Sequence, residues 1–586
     1  MAKGFDVLHI KSAVKAHNKF DLSRTHLTTM DFGEILPLFV EETVPGDEIS
    51  VKGNYFSRLA PLVKPTYGKF AFKTVSAFVP YHQIASDADA WIAGKTAFEG
   101  LTPHQRYFTG SALFGLVYAN STPVSSNPDF QYIDTSGTVV KVKFTAAGKY
   151  YVKVLNSLGY SLPSNVDLQT NSLWITTLSK VKFSAYPLLA FFKLYNDYMS
   201  QSQRFNTSQL SGILKAIRYG LTATGYTPST GEINSALIGN LFAALKLNYE
   251  NDYFISAWQT PNNAINSIDT ISSAAVPANQ ATEQVQYAGG NVYLNSTDVA
   301  AGQINQRALD FLKSFDDWVR RNSYSGSRTV QQIYSRFGIK VEDFRCDYAH
   351  VIGTDTVPVQ VGDVTSVSDT ASGSNGAILG EYAGKGIMSG DKSITYKAED
   401  FGILFILGYF TVVPMNAYGH DRRVLRTSPL DYYNPEFDGI GADAISAGEL
   451  YTNPLAASTD VIQDNSVFGF TERYNAYRYG RDVITGEFRS TNPSADMNVW
   501  HTGRNLNSLR ATGDMVAQSS SMNTLEQTGS QYNRIFSDDG SVSGANHFYL
   551  TAQFGVSAIR PMLNLNQVVK LGEGDTTVPR NGNVIS

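Results

Sequence analysis

The chain has 586 residues and a formal net charge of −5, with 42% hydrophobic, 12% aromatic and 17% charged residues. The net charge excludes a polycation, and a charged fraction below the ~25% of ordinary soluble domains suits a chain that buries much surface against neighbours. The single cysteine, Cys346, excludes a disulfide framework or a cysteine-based zinc site and reads as a small buried apolar group.

Residues 1–26 form a basic arm: Lys3, Lys11, Lys15, Lys19 and Arg24 outweigh Asp6 and Asp21, with His9, His17 and His26 between them. The arm lacks the apolar core of a secretory signal. Phe20–Pro80 then reads as extended segments joined by turn chemistry. Pro45-Gly46-Asp47 is a reverse-turn signal separating the apolar run Ile35–Val44 from a segment ending in Phe56. From Phe70 the chain alternates, with Phe70, Phe72 and Phe78 on one face and Lys73, Val75 and Val79 on the other, the period of a half-buried strand.

A long insertion is expected over 95–180. Within it Val140, Val142 and Phe144 alternate with Lys141 and Lys143, and an Ala-Ala-Gly turn followed by Tyr150–Leu155 predicts a hairpin. A helix is expected over Ile233–Leu247, with Leu237, Leu241 and Ala244 or Leu245 on its buried side. Residues 260–303, rich in Asn, Ser, Ala, Gln and Thr, read as an exposed loop. Ile304–Arg321 places Ile304, Ala308, Phe311, Phe315 and Trp318 on one helical face. Ser366–Gly390, rich in Ser, Gly and Asp, is expected to be mobile or to lie on the surface. Phe401–Val413 is too short an apolar run to cross a bilayer and reads as a strand buried on both faces. His547–Ala558 alternates most cleanly, with Phe548, Leu550, Ala552, Phe554, Val556 and Ala558 facing one way, and Arg560-Pro561 ends it. No internal repeat is visible. Residues 568–586 form a C-terminal tail.

Catalytic motifs are near-misses. Gly386–Ser393 (GIMSGDKS) has its second glycine one residue early for a phosphate loop and sets Asp391 before the lysine. Gly373–Gly380 lacks dinucleotide spacing, and neither HExxH nor GxSxG occurs. Paired carboxylates for glycoside hydrolysis meet only in three dimensions, and nothing local nominates a pair.

Several segments carry a family resemblance in order. An LSR element, LPLFVEETVPGD, RLAPLVKPTYGKF and a strand ending AFVP resemble the opening of the microvirus (gokushovirus-like) major capsid protein. Phe183–Met199, in which a proline opens an aromatic helix ending near Asn-Asp, Asn251–Trp258, Ile304–Gly338, Asp431–Ile440, Val467–Ser490, Trp500-His501 and His547–Met562 are similar to later family segments. The resemblance runs from Phe20 to about Gln567.

It implies a mainly β fold, an eight-stranded antiparallel jelly roll of the viral capsid type over 27–567, with long interstrand insertions at about 95–180, 260–303 and 366–390 containing a few helices. It also implies a non-enzymatic subunit, about 60 copies of which close a T=1-type icosahedral shell. Implied partners are further copies of the chain, a circular single-stranded DNA genome, a minor DNA-pilot protein, a small basic DNA-binding protein and a host-cell receptor, with no membrane. The implied locations are the virion and the host bacterial cytoplasm during assembly. Residues 260–303 lie where some members carry a surface protrusion, so that loop could contact the receptor.

Two segments are candidates for nucleic-acid or intersubunit contact: the arm, through Lys3, Lys11, Lys15, Lys19 and Arg24, and the segment Glu472–Arg489. In the latter, Arg473, Tyr474, Tyr477, Arg478, Tyr479 and Arg481 interleave charge with π-faces, which suits stacked bases and phosphates or a subunit boundary. Arg422, Arg423 and Arg426 read the same way. No cofactor is expected; a structural divalent cation would need only oxygen ligands, and the sequence does not locate one. The alternative from another class is a bacterial surface carbohydrate-binding or glycan-degrading β-sandwich protein.

Overall fold

The computed structural model describes residues 17–94, 102–133, 136–161, 180–200, 208–250, 252–257, 348–365, 382–417, 419–439, 441–449, 467–489, 496–503, 527, 529–537 and 546–562, with short strand pairs between 286 and 304 and between 569 and 578. The expectations for Cys346 and for the helix Ile304–Arg321 lie outside these residues, as does all but the short pairs of the 260–303 loop.

Ten strands build a two-sheet antiparallel sandwich: β1 (Asn18–Asp21), β2 (Arg24–Met30), β3 (Ile35–Thr43), β4 (Glu48–Leu59), β5 (Phe70–Pro80), β6 (His350–Pro358), β7 (Gln360–Thr365), β8 (Tyr382–Lys397), β9 (Gly402–Val412) and β10 (Phe548–Arg560). One sheet runs β10–β4–β8–β7, with β1 and β2 both added beside β10; the other runs β6–β5–β9–β3. The facing orders β2–β10–β4–β8 and β3–β9–β5–β6 are those of an eight-stranded jelly roll, and β1 and β7 are added to the first sheet.

The turn at Pro45–Gly46 forms as its chemistry demands. Gly46 sits at φ 93°, and the Asp47 carboxylate accepts the Val44 N–H at 3.1 Å. Strand β4 runs three residues past Phe56, to Leu59. In β10 the even positions from Phe548 to Ala558 are buried, and the strand stops at Arg560 before Pro561. Its register sets Phe554 opposite Gly53 of β4 and Arg24 of β2, so the last strand closes on strands near the start of the chain. Phe554 packs against Phe39 with ring centres 5.1 Å apart, and Phe548 stacks on Phe410 at 3.8 Å. Burying side chains of this size is worth ~1.5–3 kcal/mol each.

Strand β9 is buried on both faces over nearly its whole length. Strand β5 is half-buried only over its first turn of alternation; from Thr74 onward both faces are covered, including Val75 and Val79. The cause is the helix Tyr186–Tyr198, which packs against both β5 and β9. Pro187 opens that helix, and its Asp197 accepts the Ala349 N–H at 3.0 Å, fixing the chain just before β6.

Two expectations are corrected. Tyr150–Leu155 is not the second strand of a hairpin but part of the helix Ala146–Ser157. Thr145 caps it by accepting the Gly148 N–H at 3.1 Å, and the side chains of Val154, Leu155 and Leu158 recur at helical spacing on the buried side. The strand Val139–Phe144 pairs instead with the preceding Ser121–Pro123 and Phe130–Ile133. Of the stretch Ser366–Gly390, residues 366–381 lie outside the described residues, and Tyr382–Gly390 is not loop but part of the 16-residue strand β8. Its glycines serve close packing: a Cβ on Gly386 would lie 2.6 Å from Leu59, and one on Gly390 2.5 Å from Val357. The GIMSG stretch is therefore extended backbone inside a sheet, with no phosphate cradle.

The helix expected over Ile233–Leu247 is shorter, Ser235–Ala243. Asn234 caps it by accepting the Leu237 N–H at 3.0 Å. Leu237, Ile238, Leu241 and Phe242 are buried. No helix among the described residues is long and apolar enough to cross a membrane.

Candidate functional site

The long connection from β9 to β10 carries the arginine–tyrosine segments, and short-range hydrogen bonds give each its shape. Strands Ala442–Ser446 and Val467–Glu472 pair antiparallel. Around them the chain runs through 3-10 turns at Arg422–Val424, Pro429–Asp431, Pro435–Phe437 and Asn475–Tyr477. Asp421 caps the first by accepting the Arg423 N–H at 2.9 Å. Asp431 accepts the Ser428 and Thr427 N–H groups at 2.8 and 2.9 Å, and these bonds hold its carboxyl below the usual range. Tyr474 adopts φ 63° while its N–H donates to Asp443 at 2.9 Å, and its ring is buried.

These turns enclose a cleft of about 360 Å³ whose lining includes Arg422, Arg423, Arg426, Arg481, Tyr477 and Tyr479. At its base Arg422 meets the buried Glu449 at 2.9 Å and donates to the Ala444 carbonyl at 3.0 Å. Tyr253 donates to the other Glu449 oxygen at 3.1 Å. Burial opposes the Arg422 charge, but Glu449 and Tyr253 outweigh it and hold its pKa above the ordinary value. Tyr479 stacks on Tyr253 at 5.0 Å, and burial, followed by Asp252, pushes its phenol up to about 12. Arg481 donates to the Gly419 carbonyl; burial lowers its pKa, partly offset by Asp421.

Toward solvent, Arg426 lies 4.0 Å from the Tyr477 ring centre, and Arg473 lies 4.9 Å from that of Phe437. Arg478 reaches Glu472 at 3.2 Å and Asp438 at 3.3 Å, exposed contacts that add little to stability. The arrangement offers planar cations beside aromatic faces, the chemistry that recognises carboxylates, phosphates or π-systems. Among the described residues no group of three or more His, Cys, Asp or Glu side chains could hold a metal ion.

A family model described as "Capsid protein (F protein)" matches residues 8–568. The chain belongs to that capsid protein family. It is similar to "Capsid protein VP1" of Chlamydia phage 1, 23% identical over 569 residues covering 87% of this chain and 90% of the relative. It is also similar to "Capsid protein VP1" of Bdellovibrio phage phiMH2K, 22% identical over 521 residues, 84% of this chain and 86% of the relative. The protein is a microvirus-type phage major capsid protein, a structural component of the virion that assembles into a capsid. The glycan-binding alternative is not favoured.

Within this capsid subunit the sequence-nominated residues separate into distinct places. Lys3, Lys11 and Lys15 lie outside the described residues. Lys19 sits in β1 opposite Ile559, and Arg24 in β2 contacts Glu41 at 3.0 Å and the Phe39 ring at 4.2 Å. Arg24 thus ties its strand to its own subunit. Tyr474 is buried and Tyr479 is already stacked, which leaves Tyr477 as the exposed ring of that set, beside Arg478. The structure brings Arg422, Arg423, Arg426 and Arg481 into one cleft from two segments read separately in the sequence. Sequence reading missed Glu449 and the role of Tyr253, which organise the cleft floor; Tyr253 lies in the family-resembling segment Asn251–Trp258, and no local motif marks Glu449.

Proposed function

We propose that this subunit closes, with about 60 copies of itself, a T=1-type icosahedral shell around a circular single-stranded DNA genome. The observation that carries the reading is the family match over residues 8–568. The antiparallel sandwich supports it, because long connections between strands leave wide lateral surfaces for neighbours. Closure lets modest contacts hold a durable particle, since each subunit is retained by several at once.

The chain's net charge of −5 means that bulk neutralisation of DNA falls to local patches or to other components. The basic arm, with Lys3, Lys11, Lys15, Lys19 and Arg24, and the Arg473–Arg481 segment are the candidates for genome or intersubunit contact. A minor DNA-pilot protein and a small basic DNA-binding protein complete the particle, and surface loops meet the host receptor. Assembly takes place in the bacterial cytoplasm.

The test is negative-stain microscopy of the expressed protein with and without circular single-stranded DNA, followed by nuclease digestion. Round closed particles that protect the DNA support the reading. Monodisperse monomers under all salt and calcium conditions contradict it.

A further inference from the structure

Between Lys397 and Lys570 the chain holds eleven Arg and no Lys. Residues 419–439 and 472–489, which frame the cleft, together carry seven Arg and seven Asp or Glu, so this surface is neutral overall. A surface that tracks a polyanion needs net positive charge, and Lys serves there as well as Arg. Arg without Lys, set among exposed Tyr and Phe, is instead the composition of a protein–protein contact.

The charge is also unevenly placed. The cleft lining holds four guanidinium groups, of Arg422, Arg423, Arg426 and Arg481, against the carboxylates of Asp421 and Glu449. Among the described residues Arg426 makes no close ion pair: it acts on Asp431 only through space, and that carboxylate is taken up by the Thr427 and Ser428 N–H groups. Glu436, Asp482 and Glu487, on the same two segments, are exposed and make no ion pair with a cation among the described residues. Three aliphatic side chains stand out of the same segments: Val424 at 71%, Leu430 at 57% and Val483 at 70% exposure. Aliphatic groups gain nothing from phosphate and need an apolar counter-surface.

We propose that this surface is a self-complementary contact between two copies of the chain. The arginine cleft of each receives a carboxylate of the other, and Val424, Leu430 and Val483 pack between them. A patch carrying both a cationic socket and unpaired acids satisfies the isologous rule that the same surface appears on both sides of a two-fold axis. The proposal rests on the self-assembly reading and names the surface that carries one of its contacts.

The test uses the full chain. Arg426→Glu, Val483→Asp and three acid reversals (Glu436→Arg, Asp482→Arg, Glu487→Arg) are made separately. Particle yield is read by sedimentation velocity, folding by circular dichroism, and retention of circular single-stranded DNA by nuclease protection. Arg426→Glu and Val483→Asp are each expected to lower yield about tenfold with folding unchanged. Mixing Arg426→Glu with one of the acid reversals is expected to restore it. If Arg426→Glu misfolds, Val483→Asp decides the question.

Wild-type yield from both variants overturns the proposal. So does failure of all three acid reversals to rescue, or normal assembly with lost DNA retention, which would mark a nucleic-acid surface instead. If wild-type protein forms no shells, the shell reading fails, and the contact is then judged by whether Arg426→Glu abolishes concentration-dependent pairing of subunits.

Discussion

The Asp31 carboxylate lies 2.8 Å from Nδ1 of His547, joining the entrance of β3 to the entrance of β10 across 516 positions of sequence. His547 is 1% exposed and stacks on Phe536 at 3.9 Å, while the Asp31 N–H donates to Glu34, itself paired with Lys153 of the helix Ala146–Ser157. One network therefore fastens both ends of the sandwich and an insertion helix. Asp31→Asn, which removes the charge from a bond to a fully enclosed ring, is expected to cost about 1–3 kcal/mol. Urea denaturation of the isolated subunit measures this, and an unchanged midpoint would contradict the role given to the network.

Phe554→Asp places a carboxylate between Phe39 and Tyr55, where the native ring is 2% exposed. Burying an unpaired acid costs several kcal/mol, about half or more of a domain's margin. Soluble expression is expected to be abolished. Normal yield of assembled particles would contradict the assignment of Phe554 to the interior.

The alternation that placed Phe554 inside was fully legible in the sequence, because a strand covered on one face imposes a period of two. The same logic failed where burial has another source. Thr74–Pro80 reads as half-exposed, yet the helix Tyr186–Tyr198 covers its second face, and nothing within β5 announces that helix. The glycines of β8 suggested a loop because their reason for being there, the approach of Leu59 and Val357, comes from other strands. Ala146-Ala147-Gly148 reads as a turn from composition but is a capped helix start, for which the Thr145 hydroxyl is the local signal. The candidate site divides likewise. Its arginines and tyrosines were visible as local clusters, but the Glu449–Arg422 pair that shapes the floor spans 27 positions with no motif.

His501 provides a pH test. Its Nε2 donates to the Phe488 carbonyl at 2.9 Å, and Nδ1 accepts the Gly503 N–H at 3.0 Å, a pattern only the neutral ring satisfies. Burial lowers its pKa below 6.5, helped by Arg534 and opposed by the Phe488 bond. The unfolded state therefore binds the proton more readily than the folded state. This group's stabilising contribution is present above pH 6.5 and is lost as pH falls through the lower folded value. Thermal melts of wild type and His501→Gln between pH 7 and 5 should diverge at neutral pH and converge in acid; parallel curves would contradict the assignment.

Glu449→Ala removes the partner of Arg422 from a position only 3% exposed at the carboxylate. Leaving the half-buried Arg422 guanidinium without that partner costs about 1–3 kcal/mol. The Tyr253 hydroxyl also loses its acceptor. A fall of this size in the subunit's unfolding free energy is expected, together with weaker particle assembly. Full stability in the variant would show that Glu449 does not organise the cleft.

The account turns on many identical subunits closing on one another, and the mass of the assembled species tests it most directly. Native mass spectrometry of wild-type protein purified at physiological salt should find, for about 60 chains of 64.2 kDa, a species on the order of 4 MDa. A single species at 64.2 kDa, unchanged by concentration, salt or added circular DNA, would contradict it.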